Sequence, residues 1–123
     1  MNWNQPCAYD AAQKSRFHSN ARARLRRLTV ELGLPAGSYD LRSNQGGIAV
    51  SGEITLHHEH VYVQVSQSAM GSDMGVLIRT CRGRRDYTGG LNNFVSLALL
   101  DDVPALAARV RLVAPGVDPA RAA

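Results

Sequence analysis

The chain has 123 residues, 45% hydrophobic and 20% charged, which is the size and composition of one globular domain and excludes a largely disordered chain. Basic residues outnumber acidic ones 14 to 10 for a formal net charge of +4, and all 14 are arginines except Lys14. No apolar run approaches the roughly 20 residues of a bilayer span, and the start of the chain lacks the basic flank and apolar block of a secretory signal, so a cytoplasmic protein without a membrane partner is expected.

Residues 1–8 read as an N-terminal arm. From Tyr9 to Leu32 the apolar residues Phe17, Ala21, Leu25, Leu28 and Leu32 recur every three or four positions, which predicts one long amphipathic helix. Either Asp10 or Ser15 is placed to cap its start, and Gly33 followed by Pro35 stops it. From Ser38 the period changes to two. Tyr39–Leu41 and Ile48–Val50 read as short strands joined by the turn residues Ser43–Gly47, with Ile54–Leu56 continuing beyond Gly52. Val61–Val65 places three valines on one face, and Val76–Ile78 reads as a central strand.

Connections this short cannot hold crossover helices, so the sheet is expected to be antiparallel. Phe94–Leu100 is either a last strand or a turn. Asp101 and Asp102 ahead of Val103-Pro104 mark the start of a second helix, which Pro115 ends. The expected fold is therefore α+β: a long N-terminal helix, a four- to five-stranded antiparallel sheet and a C-terminal helix. Residues 9–114 form the single domain and residues 115–123 a flexible tail. An exposed sheet edge or the first helix would allow a homodimer.

The densest polar chemistry lies between Arg79 and Asn93. Arg79, Arg82, Arg84 and Arg85 offer forked donors, Gly83, Gly89 and Gly90 let backbone amides come close to a ligand, and Tyr87 offers a ring for a base to stack on. Asn92 or Asn93 would read a base edge or a sugar, and Thr88 adds a hydroxyl to the set. This mixture suits a phosphate-bearing ligand, although neither the Walker spacing nor Gly-x-Gly-x-x-Gly is present. Arg22, Arg26 and Arg27 on the first helix form a secondary basic patch, spread around the helix rather than along one recognition face.

His57-His58-Glu59-His60 holds three of the four histidines, but it lacks the spacing of a metal motif and is read as a polar turn between strands, with no metal or cofactor assigned. Cys7 and Cys81 are read as reduced thiols. No nucleophile elbow or paired carboxylate marks a catalytic residue.

Val63–Gln67, Gly75–Cys81 and Asp86–Gly90 resemble segments of small accessory proteins carried by plasmids and phages of GC-rich bacteria, and the likeness covers residues 61–102. It implies work for a mobile element, such as blocking a host defence or maintaining DNA, and assigns no residue a role. The function expected is non-enzymatic binding of nucleic acid or a nucleotide. The alternatives are a protein-binding inhibitor of a host defence system, of the anti-CRISPR kind, whose arginines meet carboxylates, and a small phosphodiesterase or nuclease with a histidine base.

Overall fold

A computed structural model describes residues 2, 3, 7, 10–46, 51–67 and 72–117. Helix α1 spans Ala11–Glu31 and α2 spans Val103–Val113. Between them, β1 (Tyr39–Asn44), β2 (Glu53–His58), β3 (Val61–Val65), β4 (Val76–Thr80) and β5 (Asn93–Val95) form one antiparallel sheet in chain order. The fold is α+β, as the change from helical to alternating periodicity predicts.

Local chemistry sets the helix ends. Asp10 Oδ1 accepts from the amides of Ala12 and Gln13, so Asp10 and not Ser15 caps α1. At the other end Gly33 adopts φ +70°, its amide bonds to Val30 O, and the Leu34 amide reaches back to Thr29 O. Those two bonds satisfy carbonyls that the helix would otherwise leave unpaired, in a conformation that glycine adopts at least cost. Asp102 caps α2 by accepting from Ala105 N.

Both helices lie on the same face of the sheet, α1 against β1 and β2 and α2 against β4. Strand residues of one parity meet them. Leu41, Leu56, Val63 and Ile78 form one cross-strand row, and Ile54, Val65, Val76 and Val95 form the next. With Phe17, Leu25, Leu28, Leu97, Leu100 and Leu106 they make up most of the core, each fully buried large side chain contributing roughly 1.5–3 kcal/mol of transfer free energy. Arg24 pairs with Asp101 at 3.3 Å and Arg111 Nη2 donates to Glu31 O at 2.8 Å, tying α1 to the start and to the last turn of α2, which pack against each other.

The hairpin expected to join Tyr39–Leu41 to Ile48–Val50 is replaced by pairing of β1 with β2, from Tyr39 opposite His58 to Asn44 opposite Glu53; residues 48–50 lie outside those described. Phe94–Leu100 divides into β5 and a 3₁₀ turn over Leu97–Asp101. The chain at Pro115–Val117, expected to be tail, forms another 3₁₀ turn that buries Val117 against the core. Trp3 and Cys7 of the expected arm are buried too, the Trp3 ring meeting Phe17 edge-on at 6.0 Å. Among the described residues no helix is long and apolar enough to cross a membrane.

Candidate functional site

Because no described helix lies on the second face of the sheet, the side chains of the other parity stay together as one surface. One row across the strands reads Arg42, Thr55, Gln64, Leu77 and Phe94, and the next reads Asp40, His57, Tyr62 and Arg79. Asn44 and Glu53 pair beyond them.

The segment after β4 folds back over this face and places Tyr87 on it. The Tyr87 ring meets His57 edge-on at 5.0 Å and Tyr62 at 6.3 Å. Two arginines from the sheet hold it: Arg42 Nη1 donates to the Tyr87 hydroxyl at 2.7 Å, and Arg79 Nη2 donates to its carbonyl. The Arg79 guanidinium also lies 4.5 Å from the centre of the Tyr62 ring, a cation–π contact. Tyr87 still keeps 51% of its surface exposed, and Phe94 on the same face keeps 39%.

Arg84 anchors the segment at the sheet edge. Its Nε and Nη2 grip the two oxygens of Asp40 at 3.1 and 2.8 Å, and its Nη1 donates to Gly37 O. That two-point bond, with the charges of Arg84 and Arg42 beside it, holds the Asp40 carboxyl below the usual carboxylate range. Changing Asp40 to Asn should therefore speed hydrogen exchange of the amides between Arg82 and Gly89 and leave the β2–β3 amides as protected as before. Equal protection of the loop in both proteins would show that the Asp40–Arg84 fork does not hold it down.

Two glycines of this segment, Gly89 and Gly90, serve its own packing. Asp86 accepts from the backbone amides of Arg82, Thr88 and Gly89 at 3.0, 3.1 and 2.9 Å, bonds that lower its pKa. A Cβ on Gly89 would stand 2.3 Å from the Asp86 carboxylate, and one on Gly90, at φ +79°, would stand 2.5 Å from Thr80 O. Of the glycine amides expected to reach a phosphate, that of Gly89 is thus turned inward onto Asp86.

The expected site residues divide accordingly. Arg79 and Arg84 are engaged in holding the segment, whereas Arg82 and Arg85 are exposed and have no side-chain partner among the described residues. Thr88 and Asn92 are exposed, and the Asn93 carboxamide donates to Leu91 O. An open pocket of about 480 Å³ lies inside the segment, lined by Thr80, Cys81, Arg82, Asp86, Thr88, Gly89 and Gly90. Arg22, Arg26 and Arg27 belong to the helix layer on the other side of the sheet, and no described contact joins them to this face.

Sequence reasoning missed Arg42, Glu53, Thr55 and Tyr62, and it placed His57 in a turn. The first three, with Asn44, Tyr62 and Tyr87, line a second cleft of about 170 Å³ on the open face. The histidine run is not simply a turn: His57 and His58 complete β2 and are buried, and only Glu59 and His60 are exposed between strands. His57 and His58 point to opposite faces, as strand neighbours must. Among the described residues no group of three or more metal-ligating side chains gathers. Cys7 and Cys81 are buried and unbridged, and burial raises the pKa of both thiols.

Comparison with protein families, with curated protein sequences and with solved structures finds no match to this chain.

Proposed function

We propose that this domain binds a nucleotide or a single-stranded nucleic acid on the uncovered face of its sheet and performs no catalysis there. The observation that carries the reading is a half-exposed Tyr87 ring, fixed in place by two arginines, in the same segment as the exposed guanidinium groups of Arg82 and Arg85, which have no side-chain partner among the described residues. A base stacked on such a ring gains roughly 1–3 kcal/mol whatever its sequence, and forked arginine donors suit the phosphates on either side. Phe94 on the same face offers a second ring. The ring is immobilised before any ligand arrives, which lowers the ordering cost of binding.

Arg82 and Arg85 are the pair to reverse, because Arg84 and Arg79 also hold the loop. Changing both to glutamate brings the formal net charge from +4 to zero and breaks no described side-chain hydrogen bond or ion pair. Affinity for a labelled oligothymidylate at 100 mM salt should fall at least tenfold, the slope of log affinity against log salt should flatten by roughly 0.7 for each phosphate no longer neutralised, and the melting temperature should stay put. Equal affinity of the two proteins would overturn the reading. So would a polypeptide partner that stays bound through the same arginines after nuclease digestion.

A further inference from the structure

The cleft on the open face has a donor and acceptor pattern of its own, apart from the stacking surface of Tyr87. We infer that the space between β1, β2 and Tyr87, lined by Arg42, Glu53, Thr55, Tyr62 and Tyr87, is a nucleobase subsite that selects guanine; this rests on the binding reading above.

Size sets the first limit. A cavity of about 150 Å³ accommodates a benzene ring, and drug-sized ligands need 300 Å³ or more, so a cleft of about 170 Å³ takes one flat heterocycle and leaves sugar and phosphate outside. The walls suit a ring, since Tyr62 and Tyr87 are two of the six lining residues.

Hydrogen-bonding chemistry sets the second limit. Glu53 is half-buried and its carboxylate has no hydrogen-bond or ion-pair partner among the described residues, although it stands close enough to the Tyr62 hydroxyl to help raise that group's pKa. An ionised carboxylate can only accept, and two adjacent N–H groups satisfy both of its oxygens at once. Thr55 is buried and its hydroxyl is likewise without a partner, while Arg42 retains donors beyond the two it gives to Tyr87 and Asp40. The cleft thus presents two acceptor oxygens next to donors. Guanine is the complement, with N2–H and N1–H side by side and the O6 acceptor following. Adenine and cytosine each set a ring-nitrogen acceptor beside their amino group, and thymine flanks its one N–H with two carbonyls. Each of those three would turn a lone pair towards the carboxylate, and a good bidentate pair discriminates by roughly 1–3 kcal/mol.

The test uses fluorescence anisotropy with a labelled thymidine hexamer and the same hexamer carrying one central guanine, with GMP and AMP as competitors. The guanine hexamer should bind about tenfold tighter, and GMP should displace it at about one-tenth the concentration of AMP; displacement by GMP alone, without preference between the hexamers, would identify a free nucleotide as the ligand. In Glu53→Gln the ratio between the two hexamers should collapse towards one, since the carboxamide keeps only one acceptor oxygen. That ratio is the readout, because losing a negative charge strengthens binding of either strand. Equal binding of both hexamers together with equal competition by GMP and AMP would overturn guanine selection and leave the proposed function standing. Survival of the guanine preference in Glu53→Gln would remove Glu53 and the cleft from the inference. Binding to none of these probes would bring down the subsite and the proposed function together.

Discussion

Gly52→Ala should destabilise the protein by about 3 kcal/mol or more, enough to lower the melting temperature of a domain this size by roughly 10 °C. Gly52 closes the connection between β1 and β2 at φ +69°, a region where a Cβ is strained in any surroundings. Here the surroundings are also full. A Cβ on Gly52 would lie 2.2 Å from Asn44 O and 2.8 Å from Gln45 Cα, both backbone atoms at the end of the partner strand. Backbone cannot rotate aside as a flexible side chain would, so the two strands must part where Asn44 faces Glu53. Thermal unfolding followed by circular dichroism checks this, and a drop of less than 3 °C would mean that the turn can be rebuilt without φ above zero. Because Asn44 and Glu53 both line the smaller cleft, the same substitution should also weaken any ligand held there.

Stability should fall as pH drops from 7.5 to 5.5, and His57→Phe should remove about half of that fall. His57 is fully buried between the Tyr62 and Tyr87 rings, with neither ring nitrogen in a well-formed hydrogen bond. Burial lowers its pKa; the carbonyls of Gly83 and Asp86 and the charge of Asp40 oppose that shift, while Arg42 reinforces it. His58 is lowered as well, first by burial and then by His60. For both groups the unfolded chain takes up a proton near pH 6.5 that the folded chain still refuses, so the unfolded state is favoured increasingly below that pH and stability recovers above it.

Each such histidine can contribute at most about 1.4 kcal/mol per pH unit, so the pair gives a slope of up to roughly 3 kcal/mol per unit near pH 5.5. Phenylalanine keeps a ring between the two tyrosines and has no proton to refuse. At pH 7.5 His57→Phe should be as stable as the parent or more so, since no described hydrogen bond is lost. The lowered carboxyl groups of Asp40 and Asp86 act in a separate window, their stabilisation being present above about pH 4 and lost below it as they protonate. Melting temperatures of both proteins from pH 5 to 8 decide the matter, and parallel curves would mean that His57 is not the group responsible.

Much of the fold is legible in the residues because the signals are local. The stripe from Phe17 to Leu32, the stop at Gly33 and the cap at Asp102 each act within one or two turns of chain. Strand partnership is not local. Nothing near Tyr39 says that its neighbour is His58 rather than a residue close to Val50, and the histidines at the end of β2 read as a turn because their burial depends on Tyr62 and Tyr87 arriving from elsewhere.

The candidate site divides along the same line. Composition located the arginine-rich segment, yet it could not show that Arg84 would find Asp40, 44 positions earlier, or that Arg42 would reach Tyr87 from 45 positions away. The role of Asp86 was closer to hand, since a carboxylate two and three residues before Thr88 and Gly89 has the spacing of an Asx turn. Glu53 and Thr55 carried no signal at all, because polar residues alternating along a strand describe any solvated face, and only the position of the helices shows which face stays open.

The chain-ordered sheet and the side-by-side helices also bear on how a growing polypeptide reaches this state. Each strand pairs with the one made just before it, so most contacts close over short spans, the kind of topology that folds quickly. One exception is α1, whose neighbour α2 is made more than 70 residues later. At ribosomal speeds of about 5–20 residues per second, the flank of α1 that meets α2 must wait roughly 4–14 s for its cover. During that interval the nascent protein presents a greasy strip to its surroundings, the period in which chaperone capture or clumping would compete with completion of the fold.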